Sequence, residues 1–416
     1  MQYIVKAPEG IEAEVVLPAS KSISNRALVI YALAGGKELP ANLSDCDDTE
    51  VMINALNNMP DIIDIKGAGT SMRFMTAYLS TQNGSHLITG TERMKHRPIG
   101  VLVDALRYVG ADIQYVGEYG FPPLRIQGKK LRGGVLEIPG NVSSQYISAL
   151  LMIGPMLDNG LELKIKGCII SRPYIDLTLW MMNEFGAEAE WTDVDTIKVT
   201  PKPYKPREYT IENDWSAASY WYEIMALSGR GDDEIILAGL IDGSKQGDSI
   251  ARYIFSLLGV KTYFDEVNGM QIVRLRNSGR CVTQLNYDFL NAPDLAQTVV
   301  ACCIGRGVHF HFSGLQTLKI KETDRIEALK TELRKLGYVI RDINGSELIW
   351  DGERCTPVNS DLSEIAIDTY DDHRMALSFA PLACVMPSIR INNPNVVTKS
   401  YPHFWDELKK TGFNIL

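Results

Sequence analysis

One phrase recurs along the chain: an amphipathic helix ending in an apolar residue and a glycine, followed at once by a short strand. It occurs over residues 102–113, 179–191, 254–264, 329–340 and 405–416. Its glycines are Gly110, Gly186, Gly259, Gly337 and Gly412, spaced 76, 73, 78 and 75 residues apart. Each fits the left-handed position that follows a helix. A weaker copy covers residues 51–65, with Asn58 in place of glycine. Any α/β protein contains such turns, but the even period is not general. The pattern predicts six similar α/β units, in two groups of three because six exceed one core.

The segment Pro201, Pro203, Pro206 predicts an extended boundary between the groups. After it come a strand over 209–212 and a helix opened by Asp214. Residues 1–17 read as two strands closed by Pro18. A helix over 27–34 follows, capped by Ser20 or Ser22 and stopped by Gly35 and Gly36.

Composition excludes several classes. The net charge of −9 argues against a general nucleic-acid binder. The best apolar run, 376–386, is too short for a membrane span and is interrupted by Pro381. Lys6 and Glu9 interrupt any signal-peptide pattern, so a cytoplasmic protein is expected. The seven cysteines include no Cys-x-x-Cys pair, and Cys302 and Cys303 fall in an apolar run, so buried reduced thiols are expected. No zinc signature, phosphate-binding glycine loop with lysine, or dinucleotide fingerprint is present. No metal or cofactor is therefore expected.

Cations recur where helices are expected to begin. Lys21 and Arg26 flank one start; Arg97 precedes Pro98, and Arg172 precedes Pro173. Arg73 follows a glycine loop, and Arg374 follows Asp371 and Asp372. Ser143, Ser144 and Gln145 open another helix. In the stretch from Lys319 to Arg325, Thr323 or Asp324 is expected to cap a helix bearing Ile326, Leu329, Leu333 and Leu336 on one face. Arg325 then lies against the helix dipole. A single arginine of this kind is more often a surface residue. As a recurrent set they point to a pocket for strongly anionic groups. Glu322, between Lys321 and Arg325, and Asp294, before the apolar run 295–304, are acid–base candidates, although Asp294 also reads as a simple cap. Lys21 and Lys399 can bind an anion or transfer a proton. The residues alone lead to a two-lobed enzyme acting on small phosphorylated acids.

Eight motifs carry a resemblance. They are LPASKSISNRAL from Leu17, GAGTSMR from Gly67, RMKHRPIG from Arg93 and VSSQYISALLM from Val142. SRPYIDLTL from Ser171, KETDR from Lys321, DDHRMA from Asp371 and TKSYPHF from Thr398 complete the set. In this order they resemble the 5-enolpyruvylshikimate-3-phosphate synthase family of enolpyruvyl transferases. The resemblance implies a two-lobed inside-out α/β barrel of six βαβαββ units, three per lobe, with the active site between the lobes. The implied lobes are residues 19–211, on the shikimate-phosphate side, and 1–18 with 212–416.

It also implies transfer of the enolpyruvyl group of phosphoenolpyruvate to the 5-hydroxyl of shikimate 3-phosphate, in a monomer. Lys21, Ser22, Arg26, Ser143, Ser144, Ser171, Tyr174, Asp294 and Lys321 look like contacts to shikimate 3-phosphate. Lys21, Gly69, Arg97, Gln145, Arg325, Arg374 and Lys399 look like contacts to phosphoenolpyruvate. Asp294 looks like the base, Glu322 the proton donor and later acceptor, and Lys21 an aid to proton transfer.

Four positions depart from the family pattern: Gly67, Phe74, Arg172 and Thr317. Arg172 is expected to add a cation under the shikimate ring or phosphate. The rival readings are an enolpyruvyl transferase for UDP-N-acetylglucosamine and a non-catalytic binder of phosphorylated acids. The former's reactive cysteine loop is not found here. Asp294, Glu322 and Lys21 together argue against the latter.

Overall fold

The computed structural model describes residues 1–416 apart from Lys37, Arg230 and Asn268. The chain divides into two compact units: Ala19–Ile211, and Met1–Pro18 together with Glu212–Leu416. Each has its own apolar core.

Among the described residues, five four-stranded sheets share one topology. In the first, Ile62–Asp64 runs parallel to Gly84–Thr89. That strand pairs antiparallel with Leu124–Gly128, whose other edge takes Asp112–Tyr115. The second sheet of this unit orders Gly134–Pro139, Leu161–Lys166, Thr196–Val199 and Ala189–Asp193 in the same way. The other unit has three. One joins Glu12–Val15, Glu234–Ala238, Met270–Asn277 and Val260–Val267. Another joins Gln284–Asp288, His309–Ser313, Glu347–Trp350 and Arg341–Ile343. The last joins Ala366–Ile367 and Ile389–Asn392 to the chain's first strand, Gln2–Lys6, and then Asn414–Ile415.

The repeated phrase is the helix that leads into the outer strand of each sheet. All five of its glycines are left-handed, with φ of 109, 82, 100, 91 and 92° in chain order. The sixth phrase needs correction. Asn58 is the last residue of the helix Asp47–Asn58, and Met59 takes the left-handed position at φ 40°. Pro60 follows and cannot continue a helix. The strand reached, Ile62–Asp64, is the first of its sheet, not the outer one. The strand expected over 209–212 is reduced to one parallel bridge between Thr210 and Ala41. Pro40, beside Ala41, has no N–H to extend that ladder.

Three helices lie beneath the sheets of their own units. Trp215–Ser228 is buried nearly all round, as an inner helix must be. Gly69–Thr81 and Ser144–Ile153 are likewise buried and pack against each other. Strands cover them with one face: Leu124–Gly128 buries Leu124 and Ile126 and exposes Arg125 and Gln127.

Two expected helix starts are shifted. Arg73 is the fifth residue of Gly69–Thr81, and its Nη1 and Nη2 donate to the carbonyls of Gly69 and Pro98 at 3.0 Å each. Pro98 precedes its helix, which runs Gly100–Tyr108 with Ile99 at the cap.

Candidate active site

Asp324 caps the helix Arg325–Lys335 by accepting the Glu327 N–H at 3.1 Å. Arg325 is therefore the first helical residue, where a cation is unfavourable. Three carboxylates offset this. The Arg325 guanidinium meets Asp372 at 2.7 Å, Glu322 at 2.9 Å and Asp294 at 3.0 Å. Lys399 also reaches Glu322, at 3.0 Å. Arg374 reaches Asp294 at 3.2 Å and Lys321 does so at 3.5 Å. All six residues singled out in this unit thus join one ion-pair network. The Arg325 side chain is 2% exposed, whereas Glu322 and Asp294 keep 13% and 22%. The guanidinium is sealed while the two carboxylates retain an open edge.

Asp294 is not a cap. It lies in the short turn Pro293–Leu295, and Leu295 precedes the helix Ala296–Arg306 without a side-chain capping bond. Burial alone would push its carboxyl up, but Arg374, Lys321 and Arg325 outweigh this and hold it well below the usual range. Burial pulls the Lys321 ammonium down, and Asp294 only partly opposes it. For Arg325 the balance is reversed: despite burial, its three carboxylates push it up.

Sequence reasoning missed three residues here. Asp372 is fully buried, caps the helix His373–Phe379 through the Arg374 N–H at 2.9 Å, and holds Arg325. The Tyr220 hydroxyl accepts from Arg374 Nη1 at 3.1 Å, and burial pushes it up to about 12. Asp248 accepts from the Ser216 hydroxyl; burial, aided by the charge of Asp294, pushes it up to about 6. The acidic pair before His373 was the one available signal.

In the unit Ala19–Ile211, Ser20 caps the helix Lys21–Leu33. Lys21, its first residue, pairs at 3.3 Å with Asp48, another residue the sequence did not flag. Arg26 is turned inward. It donates to Thr178 at 2.7 Å, to the Ser22 carbonyl at 2.8 Å, and to Ser148 and the Tyr174 carbonyl at 3.3 Å. It therefore braces two of its expected neighbours, and burial pulls it down to about 10.

Ser143 caps Ser144–Ile153. Gln145 then donates to Thr70 at 3.0 Å, tying this helix start to that of Gly69–Thr81. The Arg97 guanidinium lies against Gly69: a Cβ there would sit 2.6 Å from Nη1. Ser171 is left-handed, at φ 55°, before the helix Arg172–Glu184 that carries Tyr174.

Arg172 departs from expectation. Its guanidinium stacks 4.0 Å over Trp191 and donates to the Val194 carbonyl at 3.2 Å, so the neighbouring hairpin holds it. Phe74 is core, with Arg26 over its ring at 5.4 Å. The Thr317 hydroxyl is buried without a hydrogen-bond partner among the described residues.

Each unit thus gathers cations, hydroxyls and helix N-termini, the equipment for binding phosphate and carboxylate. One also presents two carboxylates held by a shared guanidinium. No cluster of His, Cys, Asp and Glu that could hold a metal occurs among the described residues. No helix among them is long and apolar enough to cross a membrane.

Comparison with known proteins agrees with this equipment. The family model for EPSP synthase (3-phosphoshikimate 1-carboxyvinyltransferase) matches residues 5–63 and 57–408. A 3-phosphoshikimate 1-carboxyvinyltransferase of Bacteroides fragilis is 57% identical over 415 residues, covering 100% of this chain and 99% of the relative. One from Haemophilus influenzae is 34% identical, covering 99% of each. The structure of EPSP synthase from Acinetobacter baumannii superposes with a TM-score of 0.78 at 19% identity, covering 100% of this chain and 99% of that one, so the two-lobed α/β fold is shared. With the model matched along nearly its whole length, the chain belongs to the EPSP synthase (3-phosphoshikimate 1-carboxyvinyltransferase) family.

Proposed function

We propose that this chain transfers the enolpyruvyl group of phosphoenolpyruvate to the 5-hydroxyl of shikimate 3-phosphate, releasing phosphate. It would do so as a cytoplasmic monomer, with small molecules as its partners. The observation that carries the reading is the Arg325 guanidinium, which holds Asp294 and Glu322 together at 3.0 and 2.9 Å. The reaction needs one group to take a proton from a hydroxyl and another to give one to a methylene carbon.

In this reading Asp294 accepts the 5-hydroxyl proton as that oxygen bonds to C2 of phosphoenolpyruvate. Glu322 protonates C3, giving a tetrahedral intermediate that still bears phosphate. Glu322 then takes a proton back from the methyl group as the bond to the phosphate oxygen breaks. Lys21 assists the departing oxygen. Arg97, Gln145 and Gly69 hold phosphoenolpyruvate with Arg325, Arg374 and Lys399. Ser22, Ser143, Ser144, Ser171, Tyr174 and Lys321 hold shikimate 3-phosphate, with Arg26 fixing two of them.

Without substrate, Asp294 is a poor base because three cations surround it. Glu322 lies between Arg325 and Lys399, at 2.9 and 3.0 Å. Anionic substrates would share those cations and raise the Asp294 carboxyl toward its working range.

The test is phosphate release from phosphoenolpyruvate with shikimate 3-phosphate or with UDP-N-acetylglucosamine. Release with the first alone is expected. Release with the second alone would overturn the substrate assignment.

A further inference from the structure

The turn that delivers Asp372 is strained. Tyr370 and Asp371 are consecutive non-glycine residues in the left-handed region, at φ 53 and 54°. Such backbone persists only where its surroundings over-determine it. The brace comes from Arg325's own helix.

Glu332 stands seven residues after Arg325, two turns along the same side, and is fully buried. Its Oε1 accepts the Tyr370 hydroxyl at 2.5 Å, and its Oε2 accepts the Asp368 N–H at 3.0 Å. Lys335 pairs with Glu332 and with Asp368 at 2.7 Å each. From the opposite side Asn392 donates to Asp368 at 2.7 Å and Asn393 to Asp371 at 3.0 Å. One buried carboxylate thus clasps the chain on both sides of Thr369. The turn closes where the Asp372 N–H donates to the Thr369 carbonyl at 2.8 Å. The helix that begins with Arg325 therefore also fixes the carboxylate that orients it.

We propose that Glu332 and Tyr370 are positioning residues for Arg325, acting through Asp372, and that they set the enzyme's affinity for phosphoenolpyruvate. This rests on the reading of Arg325 as a contact to that substrate.

Tyr370→Phe removes one hydroxyl and leaves the Asp368 bond; Glu332→Gln keeps the shape but weakens the clasp. Each is expected to raise KM for phosphoenolpyruvate about tenfold with KM for shikimate 3-phosphate unchanged. In an Asp372→Asn background each should add little, because the three act in one chain. Should Glu332→Gln fail to fold, Tyr370→Phe carries the test. A lower melting temperature with both KM values unchanged would overturn the proposal. So would effects that simply multiply with those of Asp372→Asn. Absence of turnover in the unsubstituted enzyme would instead remove the functional reading. The brace is then read by binding of inorganic phosphate: weaker binding in Tyr370→Phe supports it, and equal binding overturns it.

Discussion

Asp372 receives the Arg325 guanidinium through two bonds, from Nε at 2.7 Å and from Nη2 at 3.3 Å, and both side chains are out of water. This fixes the plane of the cation and leaves Nη1 for Asp294. Removing one partner of a buried pair strands the other charge. Asp372→Ala should therefore lower stability by about 3–5 kcal/mol, and Asp372→Asn by less, since it keeps an acceptor for the Arg374 N–H. Urea unfolding of the three proteins tests this ordering; equal stabilities would contradict it.

Glu322→Gln keeps one carbonyl acceptor where two oxygens served Arg325 and Lys399, and it cannot carry the proton. Turnover should fall by about 10²–10⁴-fold, while equilibrium binding of shikimate 3-phosphate is retained. Turnover close to the unsubstituted rate would remove Glu322 from its assigned role.

Gly69→Ala would place a methyl group 2.6 Å from Arg97 Nη1. The backbone there is helical, so the strain falls on the guanidinium. Overpacking of this kind costs about 1–3 kcal/mol. It should appear as a higher KM for phosphoenolpyruvate, with KM for shikimate 3-phosphate little changed. A crystal structure of the variant with Arg97 unmoved would contradict this account.

Asp248 gives a pH dependence of opposite sign to a usual surface carboxylate. Its folded value, about 6, lies above its ordinary 3.8. Folding thus favours its protonated form, and that contribution is complete below pH 3.8 and lost as pH rises through 6. Asp248→Asn keeps an acceptor for Ser216 and avoids the buried charge. It should stabilise the protein by roughly 3 kcal/mol at pH 8, from about two pKa units, and by almost nothing at about pH 2, well below the unfolded value. Thermal unfolding across that range reads the difference; a gain independent of pH would contradict it.

Much of this was legible because it is local. The five glycines mark five helix-to-strand turns since a left-handed residue after a helix is a backbone requirement. The Asp324 cap follows from the residue types next to a helical apolar stripe. Met59 was not legible, because a methionine becomes left-handed only where its surroundings force it. Asp294 read equally well as a cap; only folding brings Lys321, Arg325 and Arg374 to it across 27 to 80 residues. The inward turn of Arg26, the capture of Arg172 by Trp191, and the pairing of Asp372 with Arg325 are likewise products of tertiary packing.

The most direct test of the central claim is a phosphorus NMR time course of the purified protein with equal amounts of phosphoenolpyruvate and shikimate 3-phosphate. Transfer predicts that inorganic phosphate rises in step with the loss of both substrates, one molecule for one, as a new 3-phosphate resonance appears. Phosphate rising while shikimate 3-phosphate stays intact would mean hydrolysis, and would contradict the assignment of Asp294 and Glu322 to group transfer.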